Sequence, residues 1–140
     1  MKKIIAYTDG DARGNPGPSG IGVHIIDADG KVLKEVSEFI GNSTSHFAEY
    51  QGVMVGLQTL TAMFGKATKE MEFELRMNSE LVKKQLNSED QINEPGLVPM
   101  FIEIHNMRVA SFPNLILAQV KSELNQEAGR LANDAIDDKE

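Results

Sequence analysis

The sequence predicts an α/β fold, a five-stranded mixed sheet flanked by helices, as one domain over residues 1–140. Three observations predict it. Three strand-like segments follow one another at hairpin spacing in the first third of the chain. A long run with apolar residues at helical spacing comes next, and strand and helix patterns then alternate to the end. Hairpin-linked strands pair antiparallel and helix-linked strands pair parallel, so the sheet is mixed.

Residues 3–9 read as a buried strand and 10–19 as a Gly/Pro loop. The run Gly20-Ile21-Gly22-Val23-His24-Ile25-Ile26 reads as a second strand, and Asp27-Ala28-Asp29-Gly30 as a hairpin turn into a third strand over 31–40. Gly41-Asn42-Ser43-Thr44-Ser45 supplies loop and N-cap chemistry. From there Phe47, Tyr50, Val53, Met54, Leu57, Leu60 and Phe64 recur at helical spacing until Gly65 ends the run. Gly52 and Gly56 stand four apart on one helix face, which implies close approach to the sheet. Met71, Phe73, Leu75 and Met77 alternate in a fourth strand over 70–77. A short helix is expected over 79–87, a polar loop up to Pro95-Gly96, a helix over 97–110, a fifth strand over 114–120 and a final helix over 123–137. Leu124, Ala128, Leu131, Ala132 and Ala135 are expected to point inward from that last helix.

Apolar content of 41% and charged content of 25% are those of an ordinary globular protein. The absence of Cys excludes a disulfide framework and fits a reducing, cytoplasmic location. The apolar run after Lys2-Lys3 meets Asp9 too early for a signal peptide, and no stretch reaches membrane-spanning length. A net charge of −7 argues against holding nucleic acid by bulk electrostatics. The adjacent pair Lys83-Lys84 reads as a solvated helix face. Without Trp, a long base-stacking platform is not expected. A monomer is the default expectation.

Two acids carry the chemistry. Asp9 ends the first strand inside Tyr7-Thr8-Asp9-Gly10, ahead of Gly14-Asn15-Pro16-Gly17. Glu49 lies in Phe47-Ala48-Glu49-Tyr50, read as the first turn of the long helix. Alone, the first is a turn acid and the second a helix-dipole acid. Together they can converge on a hard divalent cation, which takes oxygen ligands.

In these motifs and their spacing the chain resembles type 1 ribonuclease H, in its short bacterial and archaeal form, along nearly its whole length. The resemblance implies a two-metal phosphodiester hydrolase acting on RNA/DNA hybrids with magnesium or manganese. It also implies four metal-binding acids, of which Asp9 and Glu49 are two. The third motif reads Arg76-Met77-Asn78-Ser79-Glu80, so Asn78 stands where the family has an aspartate. The fourth reads Asn125-Gln126-Glu127-Ala128-Gly129-Arg130-Leu131-Ala132, with Gly129 in the acid's place. A family histidine ten residues upstream falls at Gln119. Gly10, Asn15, Thr44, Ser45 and His46 match the stretches that touch the hybrid, with Gly10 allowing close approach of the ligand and His46 replacing the usual Asn.

By this resemblance the catalytic set is Asp9, Glu49 and Asn78, the same three hold metal, and Gly129 and Gln119 are degenerate positions. Losing one transition-state contact in other enzymes costs about 10²–10³ in rate, so weak or lost activity is expected. The alternative is a catalytically inactive relative that binds nucleic acid or protein. Asp11 can supply a displaced carboxylate only if the backbone stays extended past Asp9, and a loop acid facing solvent is the preferred reading.

Overall fold

A computed structural model of the chain describes residues 3–139. The order of elements is β1 (Lys3–Ala12), β2 (Gly17–Asp27), β3 (Val32–Ser43), α1 (Ser45–Phe64), β4 (Glu72–Met77), α2 (Glu80–Leu86), α3 (Val98–Ser111), β5 (Leu115–Gln119) and α4 (Gln126–Asp137). Short 3-10 turns occupy Gly65–Glu70, Pro95–Leu97 and Ser122–Leu124. The five strands form one mixed sheet in the order β3-β2-β1-β4-β5. β1 pairs antiparallel with β2 and parallel with β4, so it lies at the centre where the strand order reverses. Crevices at such a switch point are where α/β sheets place their ligands.

Local sequence explains most boundaries. Thr44 caps α1, its hydroxyl accepting from the Phe47 amide, and Ser79 caps α2 by accepting from Val82. Gly65 closes α1 at φ 56°, a conformation that costs glycine little. The expected solvated face at Lys83-Lys84 is a paired one, with Lys84 on Glu80 and Lys83 on Glu89. Met1, Lys2 and Glu140 lie outside the described residues, and of the basic pair at the N-terminus only Lys3 is described, bonded to Glu74.

Four expectations are corrected. β1 does not stop at Asp9: Gly10, Asp11 and Ala12 pair with Ile21, Gly20 and Ser19, so the loop expected over 10–19 shrinks to its middle. β3 likewise runs on to Ser43, because Gly17, Pro18 and Ser19 supply a partner edge that the Gly/Pro composition conceals. Glu49 sits one turn into α1 instead of in its first turn. Leu124, expected inward, is 65% exposed, because the last helix starts only at Gln126 and a 3-10 turn precedes it.

The two faces of β1 are covered by different helices. Ile4, Ala6, Thr8 and Gly10 are buried toward α1, together with Ile21, Val23 and Ile25 of β2. On that side Val53, Leu57, Leu60, Phe73 and Leu75 complete the core. Asp9 and Asp11 point to the other face, where α4 lays Ala128, Leu131, Ala132 and Ala135 over β2.

Helix approach on both faces is backbone-close. A Cβ on Gly10 would run into the carbonyl of Ala48, and one on Gly22 into the carbonyl of Ala128. One on Gly20 would stand 2.5 Å from the carbonyl oxygen of Ala132. Gly52 on α1 sits against the backbone of Asp9, where an added Cβ would be 2.9 Å from its carbonyl oxygen, as the spacing of Gly52 and Gly56 predicts. Backbone cannot yield as a flexible side chain can. Gly22→Ala is therefore expected to destabilise the fold by about 3 kcal/mol, read as a fall in the urea midpoint, whereas Gly96→Ala, with open space around it and no positive φ, leaves packing untouched.

Candidate active site

Beyond the Tyr7–Arg76 pair, β1 and β4 no longer pair, while β4 continues along β5 to the Met77–Gln119 pair. The ends of β1 and β4 thus leave a cleft between Thr8-Asp9 and Met77-Asn78. Glu49 reaches the same place from α1. Thr8, Asp9, Glu49, Met77, Asn78 and Ser79 line one cavity of about 10 Å³, room for about one water or small ion. Asn78, at the expected strand end, is thereby brought together with both acids.

Gly129 faces Asp9 from α4. A Cβ at that position would lie 3.2 Å from Oδ2 of Asp9, so the helix presents a bare Cα where an acidic side chain would meet the Asp9 carboxylate. Glu127 and Asp134 do not substitute, since both turn to Arg130. Gln119 is exposed, its amide donates to the Val120 carbonyl, and it is not among the residues that line the cavity.

The two carboxylates are poorly compensated. Burial pushes Asp9 up to about 7; the Gly10 amide, bonded to Oδ1 at 2.9 Å, opposes this, and the charges of Asp11 and Glu49 add to it. Burial also raises Glu49, against a hydrogen bond from Ser79 and the pull of His46. Oε2 of Glu49 is buried without a hydrogen-bond partner among the described residues, as are Oγ1 of Thr8 and Oδ1 of Asn125. An unpaired carboxylate oxygen facing a cavity suits a cation.

The donor set decides how many cations. Asp9, Glu49 and the amide oxygen of Asn78 fit one hard divalent ion that keeps several waters. A second ion would find Asp9 alone, because Gly129 carries no donor. Among the described residues no group of three or more His, Cys, Asp and Glu gathers closely enough to hold a metal. The residues fit a single ion and do not fit a pair.

Asp11 corrects an expectation. Because β1 runs to Ala12, Asp11 is a strand residue on the same face as Asp9, and its charge raises both Asp9 and Glu49. Its Oδ1 accepts from the Ala12 amide. It is an electrostatic neighbour of the site and lies outside the donor set.

The remaining expected residues fall around the cleft. Asn15 accepts through Oδ1 from the Ser45 amide at 3.0 Å, tying the β1–β2 loop to the start of α1. Thr44 caps that helix and His46 bonds through Nδ1 to Glu94. Gly10 faces α1, where an added Cβ would run into the backbone of Ala48 and Glu49. Two residues escape the sequence reading. Asn125, 3% exposed, donates through Nδ2 to the Thr8 carbonyl and to Oδ1 of Asn78, both at 2.9 Å. Its place four residues before Gly129 was the only signal. Glu94 sits in an aperiodic polar loop that offers none.

Comparison with known proteins agrees with this geometry. The family model described as reverse transcriptase-like matches residues 7–135. The structure of LC11-RNase H1, isolated from compost by a metagenomic approach, superposes with a TM-score of 0.95 at 44% identity, covering 99% of both chains. That protein has also been solved in complex with an RNA/DNA hybrid; this second structure gives a TM-score of 0.93 and covers 97% of the present chain and 98% of that one. Ribonuclease HI of Halobacterium salinarum is 34% identical over 97% of the chain, which spans 65% of that protein's length. The chain belongs to the type 1 ribonuclease H family.

The charge arrangement has a consequence for stability. An acid whose pKa rises from 3.8 to about 7 on folding binds more protons when folded. The contribution of Asp9 is therefore full below about pH 4 and is lost as pH rises through about 7. In EDTA, the wild-type chain is expected to lose at most about 4 kcal/mol between pH 4 and pH 8 through this group, and Asp9→Asn to flatten that loss. Urea unfolding at the two pH values measures it.

Proposed function

We propose that the chain binds RNA/DNA hybrids through the cleft beside Asp9, and that its cleavage site is degenerate. Hydrolysis is lost, or lies several orders of magnitude below that of an intact relative, since each absent contact costs about 10²–10³. One observation carries this: the Asp9 carboxylate faces the bare Cα of Gly129 on one side and an amide, Asn78, on the other. The likeness to LC11-RNase H1, itself seen with a hybrid, supports the substrate class.

Magnesium or manganese held by Asp9, Glu49 and Oδ1 of Asn78 would supply Lewis-acid stabilisation of an in-line phosphodiester displacement. The chain's own residues orient that set. Asn125 anchors Asn78 to the backbone of Thr8, next to Asp9, and Ser79 steadies Glu49. Asn15, Thr44 and Ser45 hold the start of α1 beside the cleft. Hybrids are read by shape and 2′-hydroxyls, so binding needs fewer acids than cleavage. Neutralising two positions also weakens the repulsion of phosphates. A cytoplasmic monomer belongs to the same proposal. A wholly inactive nucleic-acid- or protein-binding relative is the second reading, favoured by the lack of any donor at Gly129.

The test is cleavage of a labelled hybrid by wild type, Asn78→Asp, Gly129→Asp and the double variant. Oδ1 of Asp at 78 can accept the Asn125 bond as Asn78 does, and the Cβ at 129 meets only the flexible end of Asp9. The double variant is expected to gain more than the product of the single gains, because both acids serve one displacement. Wild-type activity is expected to be greater in manganese than in magnesium, which demands near-ideal oxygen geometry. Rapid magnesium-dependent cleavage by the wild type would defeat the proposal.

A further inference from the structure

Arg108 carries a charge that the rest of the molecule does not use. It lies half-buried on α3, and its one hydrogen bond among the described residues runs from Nη1 to the carbonyl of Leu86, at the end of α2, 2.9 Å away. Arg13, Arg76 and Arg130 each meet an acid, whereas Arg108 has no carboxylate in ion-pair reach among the described residues. In a chain of net charge −7 that is an anomaly. Burial without a counter-charge holds its pKa below the ordinary guanidinium range. A guanidinium has five N–H donors, and the Leu86 carbonyl accounts for one.

Arg108 lines a cavity of about 500 Å³ between the end of α2, the second half of α3 and the start of β5. His105, three residues before it on α3, lines the same cavity with Asn87 and Ser88. The side chains of these three have no hydrogen-bond partner among the described residues. Ser88 is held at φ 60°, with its amide on the Gln85 carbonyl and that of Asn87 on the Lys83 carbonyl. The backbone donors of this turn are therefore committed while its side chains are not. The one acid in the wall, Glu89, is paired with Lys83 at 3.3 Å. Val109, Pro113 and Leu115 make an apolar side to the same cavity.

Unused donors lining one cavity, with its acid already paired, suit an anion. A planar carboxylate accepts in one plane. A phosphate monoester presents three oxygens tetrahedrally with nearly two charges, so it takes a guanidinium fork and donors from other directions together. The cavity has the size of a small-ligand site, and its apolar side fits an organic body attached to the phosphate.

We propose that the cavity between α2, α3 and β5 is a second binding site, for the phosphate monoester of a mononucleotide-sized ligand. Arg108 holds the phosphate, with His105, Asn87 and Ser88 as further donors, and the apolar side covers the organic body. The site shares no lining residue with the catalytic cavity or with the groove at the start of α1, and it does not rest on the hybrid-binding reading. It lies at the opposite end of α2 from Ser79 and Glu49, a helix of seven residues and about 10 Å in length.

The experiment titrates the free protein at constant ionic strength with adenosine 5′-monophosphate, inorganic phosphate and adenosine, followed by ¹H–¹⁵N spectra. The monophosphate is expected to move the amides of Leu86–Glu89 and of His105–Phe112, phosphate to move the same amides with weaker affinity, and adenosine to leave them in place. Arg108→Ala is expected to weaken the monophosphate at least about tenfold, the loss of a charge-assisted hydrogen bond. Because that change also frees the Leu86 carbonyl, two surface variants test the site without touching the end of α2. His105→Ala is expected to weaken binding roughly fivefold, one net hydrogen bond. Val109→Glu, at a position 70% exposed, sets a like charge at the cavity wall and is expected to weaken it roughly fivefold as well. Unmoved amides at Leu86–Glu89 and His105–Phe112, adenosine binding as tightly as its monophosphate, or an affinity unchanged in Val109→Glu overturns the inference.

Discussion

The site depends on how closely two helices approach one strand. β1 can carry Asp9 into a cleft only because α1 and α4 both come within backbone contact of the β1–β2 ladder. Gly10, Gly52 and Gly22 remove the side chains that would hold them off. A methyl group at any of these would push a helix outward and carry Glu49 or the Gly129 position away from Asp9. The contact also makes the site compact. With β1 and β4 unpaired past Tyr7 and Arg76, the opening between them is only about 10 Å³, and whatever lines it is held at short range.

That closeness has an electrostatic cost. Two carboxylates in a small, partly dehydrated cleft are each pushed toward the neutral form, and Asp11 on the same strand face adds to the strain. In a site with four acids, cations offset such repulsion. Asn78 and Gly129 carry no charge beside these acids, and the polar chain Thr8–Asn125–Asn78 runs through the first of them. Asn125 donates to an oxygen at 78, a bond that an amide or a carboxylate there accepts equally. Gly129 is different in kind. It leaves space and no donor beside the Asp9 carboxylate.

An acidic chain with a net charge of −7 has little general attraction for nucleic acid. What it offers is a shaped groove beside the start of α1, where Asn15, Thr44 and Ser45 are tied into one rigid corner. Glu94 places a further negative charge in the groove and is hydrogen-bonded to His46.

The sequence by itself determined the elements and their order, because hydrophobic period, turn residues and caps are local signals. Phe47 through Leu60 at helical spacing, Thr44 and Ser79 as caps, and Gly65 as terminator all act within a few residues of where they stand. It also located Asp9, Glu49 and Asn78, whose motifs are contiguous. Tertiary structure decided what depends on a distant partner. β1 extends to Ala12, and Asp11 with it, because β2 provides the opposing edge through Ser19 and Gly20. Gly10 is in backbone contact with α1, because the helix packs on it at Ala48 and Glu49. Leu124 turns outward because the chain makes a 3-10 turn before α4 begins. Asn125 and Glu94 gained their roles only when folding brought the first to Thr8 and Asn78 and the second to His46. A hydrogen bond between residues far apart in the chain leaves no period, spacing or composition in the sequence to read.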